Sequence, residues 1–397
     1  MKRNVLIGSG LVALLAALGI GQTIVERRAE AQAKNTVQAP RFEVDPMWPK
    51  PLPNHWLYGN VIGVGVDSRD HIFIIHRGEG NLNPKEIYHT ANPPAADCCD
   101  VAPPVLEFDA EGNLVKAWGG PGKGYDWPGS NHGITPDSKG NLWIGGNGPD
   151  DGHILVFTRE GKFVKQFGFP YASAGSNDMW AFNKVAKIAL DEAANEAYVA
   201  DGYGNHRVAV IDMGTGKIKR YWGAYANKPD DTNLGRYNPQ APPAQQFRNP
   251  VHCAIPSNDG LVYVCDRPND RIQVFTKDGK FQKEVFVEKN TLGDGAVWDI
   301  AFSKDPQQTY FYLADGANEK IHVFDRKSLT EITSFGDGGR QPGQFYAVHS
   351  IATDSKGNVY TTETYRGQRL QKFVYKGLAP VTKKEQGTVW PTKTTTH

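Results

Sequence analysis

The chain has 397 residues, enough for two average domains or one large all-β domain, and its 44 Lys and Arg nearly balance 43 Asp and Glu. That balance removes the electrostatic case for a nucleic-acid or acidic-surface partner. With 43 Gly, 26 Pro and 11% aromatics, the composition suits many short strands joined by tight turns. Residues 1–33 open with Lys2 and Arg3, run apolar from Val5 to Ile20 and end in the small-residue pattern AEAQA. This is the layout of a secretory signal peptide cleaved after Ala31 or Ala33. An uncleaved membrane anchor is the alternative, because Arg27 and Arg28 follow a long apolar run. Either way the folded part, expected over residues 40–377, lies outside the cytoplasm, periplasmic or secreted.

From residue 61 one unit recurs six times: an apolar strand, a Gly-containing turn, a second strand ending near Asp, then a third and a fourth strand. The copies begin VIGVGVDSRDHIFIIHR at 61, NHGITPDSKGNLWIGG at 131, VAKIALDEAANEAYVADG at 185, VHCAIPSNDGLVYVCDR at 251, VWDIAFSKDPQQTYFYLADG at 297 and VHSIATDSKGNVYTTET at 348. Six four-stranded units predict an all-β, six-bladed β-propeller. The last copy has three recognisable strands, so RFEVD at 41–45 is expected to close the ring as its outermost strand. The tail, 378–397, is rich in Lys and Thr and is expected to be disordered. Insertions at 78–103, 170–184 and 225–248 interrupt the rhythm, and long loops in compact domains are commonly functional or disordered. Cys253 and Cys265 flank a hairpin and suit a disulfide or two buried small side chains equally. Cys98 and Cys99 are adjacent in a loop and carry no assigned role.

A repeat separates framework from function: what most copies share is framework. Arg207, Arg271 and Lys320 follow Asp201, Asp266 and Asp315 by five or six residues, which predicts turn-bridging ion pairs within each blade. The second residue of each copy breaks the pattern, reading Ile62, His132, Ala186, His252, Trp298 and His349. Histidine in blades 2, 4 and 6 places three imidazoles around one axis. Three protein nitrogens with a vacant fourth position are the catalytic zinc arrangement. Single strand histidines are usually core or surface residues; the joint pattern favours a metal. Arg77 and Arg267 end the second strands of blades 1 and 4, where the other copies hold Asn147, Gly202, Gly316 and Thr364. Guanidinium groups suit a carboxylate held by paired hydrogen bonds, with a strand-end salt bridge as the alternative. Tyr203 stands where DGYGNHR carries one residue more than DRPNDR.

These residues resemble the peptidyl-α-hydroxyglycine α-amidating lyases, six-bladed propellers of NHL type. The similarity runs over residues 55–375 and is densest in HRG (76–78), NHGI (131–134), DGYGNHRV (201–208), VHCAI with DRPNDRIQVF (251–275) and VHSIA with GNVY (348–360). The resemblance implies zinc on His132, His252 and His349, a catalytic tyrosine at Tyr203 and substrate-site arginines at Arg77 and Arg267. It implies cleavage of a carbinolamide to an amide and glyoxylate by a carbon–nitrogen lyase. The expected partner is a small-molecule or peptide-derived substrate with a carboxylate, and the chain is expected to be monomeric. A channel calcium is implied too, with backbone carbonyls falling on Val64 and Ile134. Ser350 stands where the family's calcium-binding Asp would be, which argues against that ion. Ala347 and Val348 replace the family's Met-Pro, and Gly204 and Tyr263 replace two blade-edge cysteines. Competing readings are a non-catalytic binding propeller, which leaves the aligned histidines unexplained, and a metal-dependent propeller enzyme acting on another small hydroxy or amide compound. A calcium hydrolase needs channel-facing carboxylates, and the six second positions hold none.

Overall fold

A computed structural model describes residues 37–391 except Glu79 and Ala172. The expected signal segment lies outside the described residues. Six four-stranded antiparallel sheets stand around a central channel, five of them built in sequence order from the channel outward. The innermost strands are Asn60–Val66, Asn131–Pro136, Val185–Asp191, Val251–Pro256, Asp299–Phe302 and Val348–Thr353. Each lies against the next, and that of blade 6 meets that of blade 1. Inner and middle strands read Val, Ile, Leu, Phe and Ala on both faces because both faces are covered by neighbouring blades, so the apolar clusters lie between blades. Fourth strands such as Phe163–Gly168 and Phe281–Phe286 are largely half-buried or exposed.

The ring closes as expected. Gln38–Asp45 pairs antiparallel with Arg369–Pro380 and is the outermost strand of blade 6. Phe42 and Val44 from that strand are buried with Phe335, Phe345 and Phe373. Closure of this kind removes the exposed edge that an unpaired strand would leave.

Two expectations are corrected. The tail is not structureless from residue 378: the last strand continues to Pro380, and residues 384–389 run along blades 5 and 6. Val44 N donates to Val389 O at 2.8 Å, Ser334 N to Lys384 O at 2.8 Å and Gly336 N to Gly387 O at 2.8 Å. Val389 enters the core, so backbone pairing holds a segment that its Lys- and Thr-rich composition does not suggest. The framework ion pairs hold for Arg207 with Asp201 at 2.8 Å and Arg271 with Asp266 at 2.7 Å, all four side chains fully buried. Lys320 departs, reaching Glu385 in the tail at 3.4 Å while His322 takes Asp315 at 3.2 Å. Lys320 faces Asp315 in the same register, but an ammonium cannot reproduce the fork that Arg places against a buried carboxylate.

Second strands end, and innermost strands begin, at the same end of the channel. All three insertions therefore emerge there, since they follow the second strand of blade 1 and the fourth strands of blades 2 and 3. The framework arginines pin two of them: Arg207 Nη2 donates to Ala181 O at 2.7 Å, and Arg271 Nη2 to Ala244 O at 2.8 Å. Cys253 and Cys265 are opposite one another in blade 4 and form a disulfide; Cys98 and Cys99 form a second, vicinal one.

Candidate metal centre at the channel end

The second position of the repeat is special because most innermost strands bulge there. Register jumps from Val61 to Gly63, Val185 to Lys187, Val251 to Cys253 and Val348 to Ser350, leaving the residue between unpaired. A bulge re-aims its side chain, and here the re-aimed residues include His252 and His349. In blade 2 the extra residue is Gly133, one place later. Its φ is +44°, and a Cβ there would lie 2.6 Å from Ala186 O, so glycine is required for this approach.

The three imidazoles converge as the spacing predicts. His132, His252 and His349 are 2–3% exposed, and their candidate ligand nitrogens lie within 4.8 Å of one another. Each ring is held by the neighbouring blade: Nδ1 of His132 bonds Ala186 O at 2.6 Å, that of His349 bonds Ile62 O at 2.8 Å, and that of His252 bonds Trp298 O. A carbonyl only accepts, so every Nδ1 carries the hydrogen and every Nε2 is left with its lone pair. The three acceptors are the second residues of blades 3, 1 and 5. Ile62, Ala186 and Trp298, the non-histidine members of the series, thus orient the histidine members through their backbones. Burial lowers the pKa of all three rings well below the ordinary histidine value; the charge of Arg267 adds to the effect at each, and that of Arg77 at His132 and His349. Buried neutral imidazoles with fixed tautomers are the donor set that suits zinc.

Tyr203 Oη lies 3.0 Å from both His132 Nε2 and His252 Nε2 and accepts from Arg267 Nη1 at 3.2 Å. Arg267 lies over the Trp298 ring, its guanidinium carbon 4.4 Å from the centroid. Arg77 reaches the same region from blade 1, where its Nε donates to Asn131 O at 2.9 Å and its Nη2 to Asn147 Oδ1 at 2.7 Å. Its strand-end position therefore serves backbone and amide partners, with no acid within ion-pair distance among the described residues. Two groups escaped the sequence reading. Tyr365 donates to Asp294 Oδ2 at 2.8 Å, and Asp294 Oδ1 stands 3.5 Å from Arg267 Nη2. Asp294 sits in a loop with no counterpart in other blades, whereas Tyr365 follows Thr364 as Tyr203 follows Gly202, so the repeat frame does carry a signal for it.

One residue further down the channel the company changes. Lys187 Nζ meets Asp299 Oδ2 at 2.5 Å, and the same carboxylate oxygen accepts from Ser350 Oγ at 2.7 Å and Ile351 N at 3.1 Å. The second positions hold no carboxylate, as expected, and the third position adds one, Asp299. Calcium needs several oxygen ligands with negative charge. Here the single buried carboxylate is already neutralised by an ammonium, and Val64 and Ile134 would contribute only carbonyls. The residues do not fit a calcium ion.

No protein-family model matches the chain. It is 26% identical over 270 residues to a Xenopus laevis peptidyl-glycine alpha-amidating monooxygenase B, covering 65% of this chain and 27% of that protein. The Mus musculus peptidyl-glycine alpha-amidating monooxygenase is 26% identical over 242 residues, covering 58% and 22%. The chain thus spans about a quarter of the length of these relatives. Mouse NHL repeat-containing protein 3 is 23% identical over 372 residues and 89% of each chain. A solved streptogramin B lyase superposes with a TM-score of 0.48 at 13% identity, covering 86% of this chain and 99% of that one.

Proposed function

We propose that this protein is an exported, zinc-dependent lyase that cleaves an N-(α-hydroxyglycyl) carbinolamide, R–CO–NH–CH(OH)–COO⁻, to the amide R–CO–NH₂ and glyoxylate. One observation carries the reading: three buried imidazoles, each with Nδ1 tied to a carbonyl, turn bare Nε2 atoms toward a tyrosine hydroxyl that an arginine also contacts. The similarity to amidating monooxygenases supports it. Two disulfides suit an oxidising compartment and support export to the periplasm or beyond.

Zinc, when bound by His132, His252 and His349, supplies Lewis acidity toward the substrate hydroxyl. The chain's own residues then have distinct tasks. Arg77 and Arg267 come from facing blades and hold the substrate carboxylate from two sides, which fixes the reacting carbon. Tyr203 Oη takes the hydroxyl proton as the carbon–oxygen double bond forms and the carbon–nitrogen bond breaks, and returns it to the departing amide nitrogen. The proton moves from oxygen to nitrogen, and the tyrosine ends as it began. Arg267, donating to that oxygen, compensates the negative charge of the phenolate before it takes the proton and after it returns it. Trp298 keeps the guanidinium in place by stacking.

Metal analysis of protein purified without chelator should find about one zinc per chain, and α-hydroxyhippurate should release glyoxylate. Metal-free protein whose behaviour is unchanged by His252→Ala would overturn the reading.

A further inference from the structure

Beside the metal centre, on the far side of Arg267, lies a cavity of about 720 Å³, within the range that holds drug-sized ligands. Its roof is the 225–248 insertion, and the arch is tied down at both feet. Asp231 accepts from Ser176 N at 3.0 Å and from Ser176 Oγ; Tyr237 Oη donates to Lys289 O at 2.9 Å. Arg248 holds it from within, donating to Gly235 O and lying over the Tyr237 ring at 5.9 Å.

The charges lining this cavity do not cancel. Arg236, Arg248 and Arg267 face Asp231 and Asp294, and both acids are committed, Asp231 to Ser176 and Asp294 to Tyr365 and Arg267. Half-buried Arg248 has only neutral side-chain partners, Asn269 Oδ1 at 3.0 Å and Gly235 O. Asp266, whose Oδ1 accepts from the Arg248 backbone N–H, is already spent on Arg271. Among the described residues neither Arg236 nor Arg248 forms an ion pair. A guanidinium drawn partly out of water without a counter-ion is an unfinished anion site.

We infer that this cavity receives the acyl side of the substrate and selects an acyl group ending in a carboxylate, so that the ligand is a dianion gripped by Arg77 and Arg267 at one end and by Arg248 and Arg236 at the other. The inference rests on the reading of the channel end as a carboxylate-substrate site. Calorimetry of the zinc-loaded full chain with two unreactive glycine conjugates of equal length, N-adipoylglycine and N-hexanoylglycine, tests it. The adipoyl compound should bind at least about tenfold more tightly, the worth of one charge-assisted hydrogen bond. Arg248→Gln should bring the ratio within about threefold, and Arg236→Gln, a change on an exposed loop, should lower it less. Equal affinities in the wild type, or a preference that survives both substitutions, would overturn the subsite. Glyoxylate release without the preference removes the subsite and keeps the lyase; the preference without glyoxylate release does the reverse.

Discussion

His322, in the third strand of blade 5, is as deeply buried as the three histidines at the channel end, but its company is different. It lies between two carboxylates, Glu331 Oε1 at 2.9 Å from Nδ1 and Asp315 Oδ2 at 3.2 Å from Nε2. Burial opposes its charge, yet the hydrogen bonds to Asp315 and Glu331 outweigh burial and push its pKa up to about 9. The channel histidines have carbonyls behind them and arginines beside them, and stay neutral. Burial therefore does not make a site. A buried polar group that completes its partners is framework, and one that keeps a directed lone pair is available for chemistry. The Lys187–Asp299–Ser350 layer, one residue below the imidazoles, belongs with His322 on the completed side.

Four tests break or sharpen this contrast. His252→Ala should cost the metal outright, from about one per chain to a small fraction, with glyoxylate release down by about 10³-fold; His322→Gln should leave the metal content unchanged in the same assay. Lys187→Met leaves Asp299 buried without a cation and should cost about 3–5 kcal/mol in urea unfolding. The same variant should retain zinc, and Lys187→Met with Asp299→Asn should recover most of the loss. Added calcium should not raise the melting temperature of the wild type.

The third test uses pH. His322 has a raised pKa in the folded state, so its contribution is complete below the unfolded value near 6.5 and is lost as pH rises through about 9. Stability should fall by on the order of 3 kcal/mol across that window, and His322→Gln should flatten the fall. Tyr203→Phe is the smallest of the four, with zinc retained and turnover lowered about 10²-fold. A variant that lost zinc as well would make Tyr203 part of the framework.

The repeat made the imidazole triad legible, because a fixed register across blades turns three distant positions into one axis. The closing strand was legible for the same reason, as the fourth member missing from the last blade. Lys187 and Asp299 were not, since residues 112 positions apart meet only once the ring is closed. Asp294 occurs singly in a loop, where a repeat offers nothing to compare, while Tyr365 follows Thr364 as Tyr203 follows Gly202 and was within reach of the frame. Lys320 was misread because its position matched Arg207 and Arg271 while its chemistry did not, and the carboxylate went to His322 instead. The tail was judged by composition, which says nothing of backbone pairing with a neighbouring strand.

The strand Gln38–Asp45 gives blade 6 its outer edge, and blade 6 carries His349. During synthesis the chain emerges N-terminus first, so that strand waits while five blades are made. Until residues 348–380 arrive to take it up, His132 and His252 have no third ligand and the ring has no last wall. On the proposed function, a nascent or truncated chain would lack the complete triad, and zinc uptake would report that the first strand and the last blade have found each other.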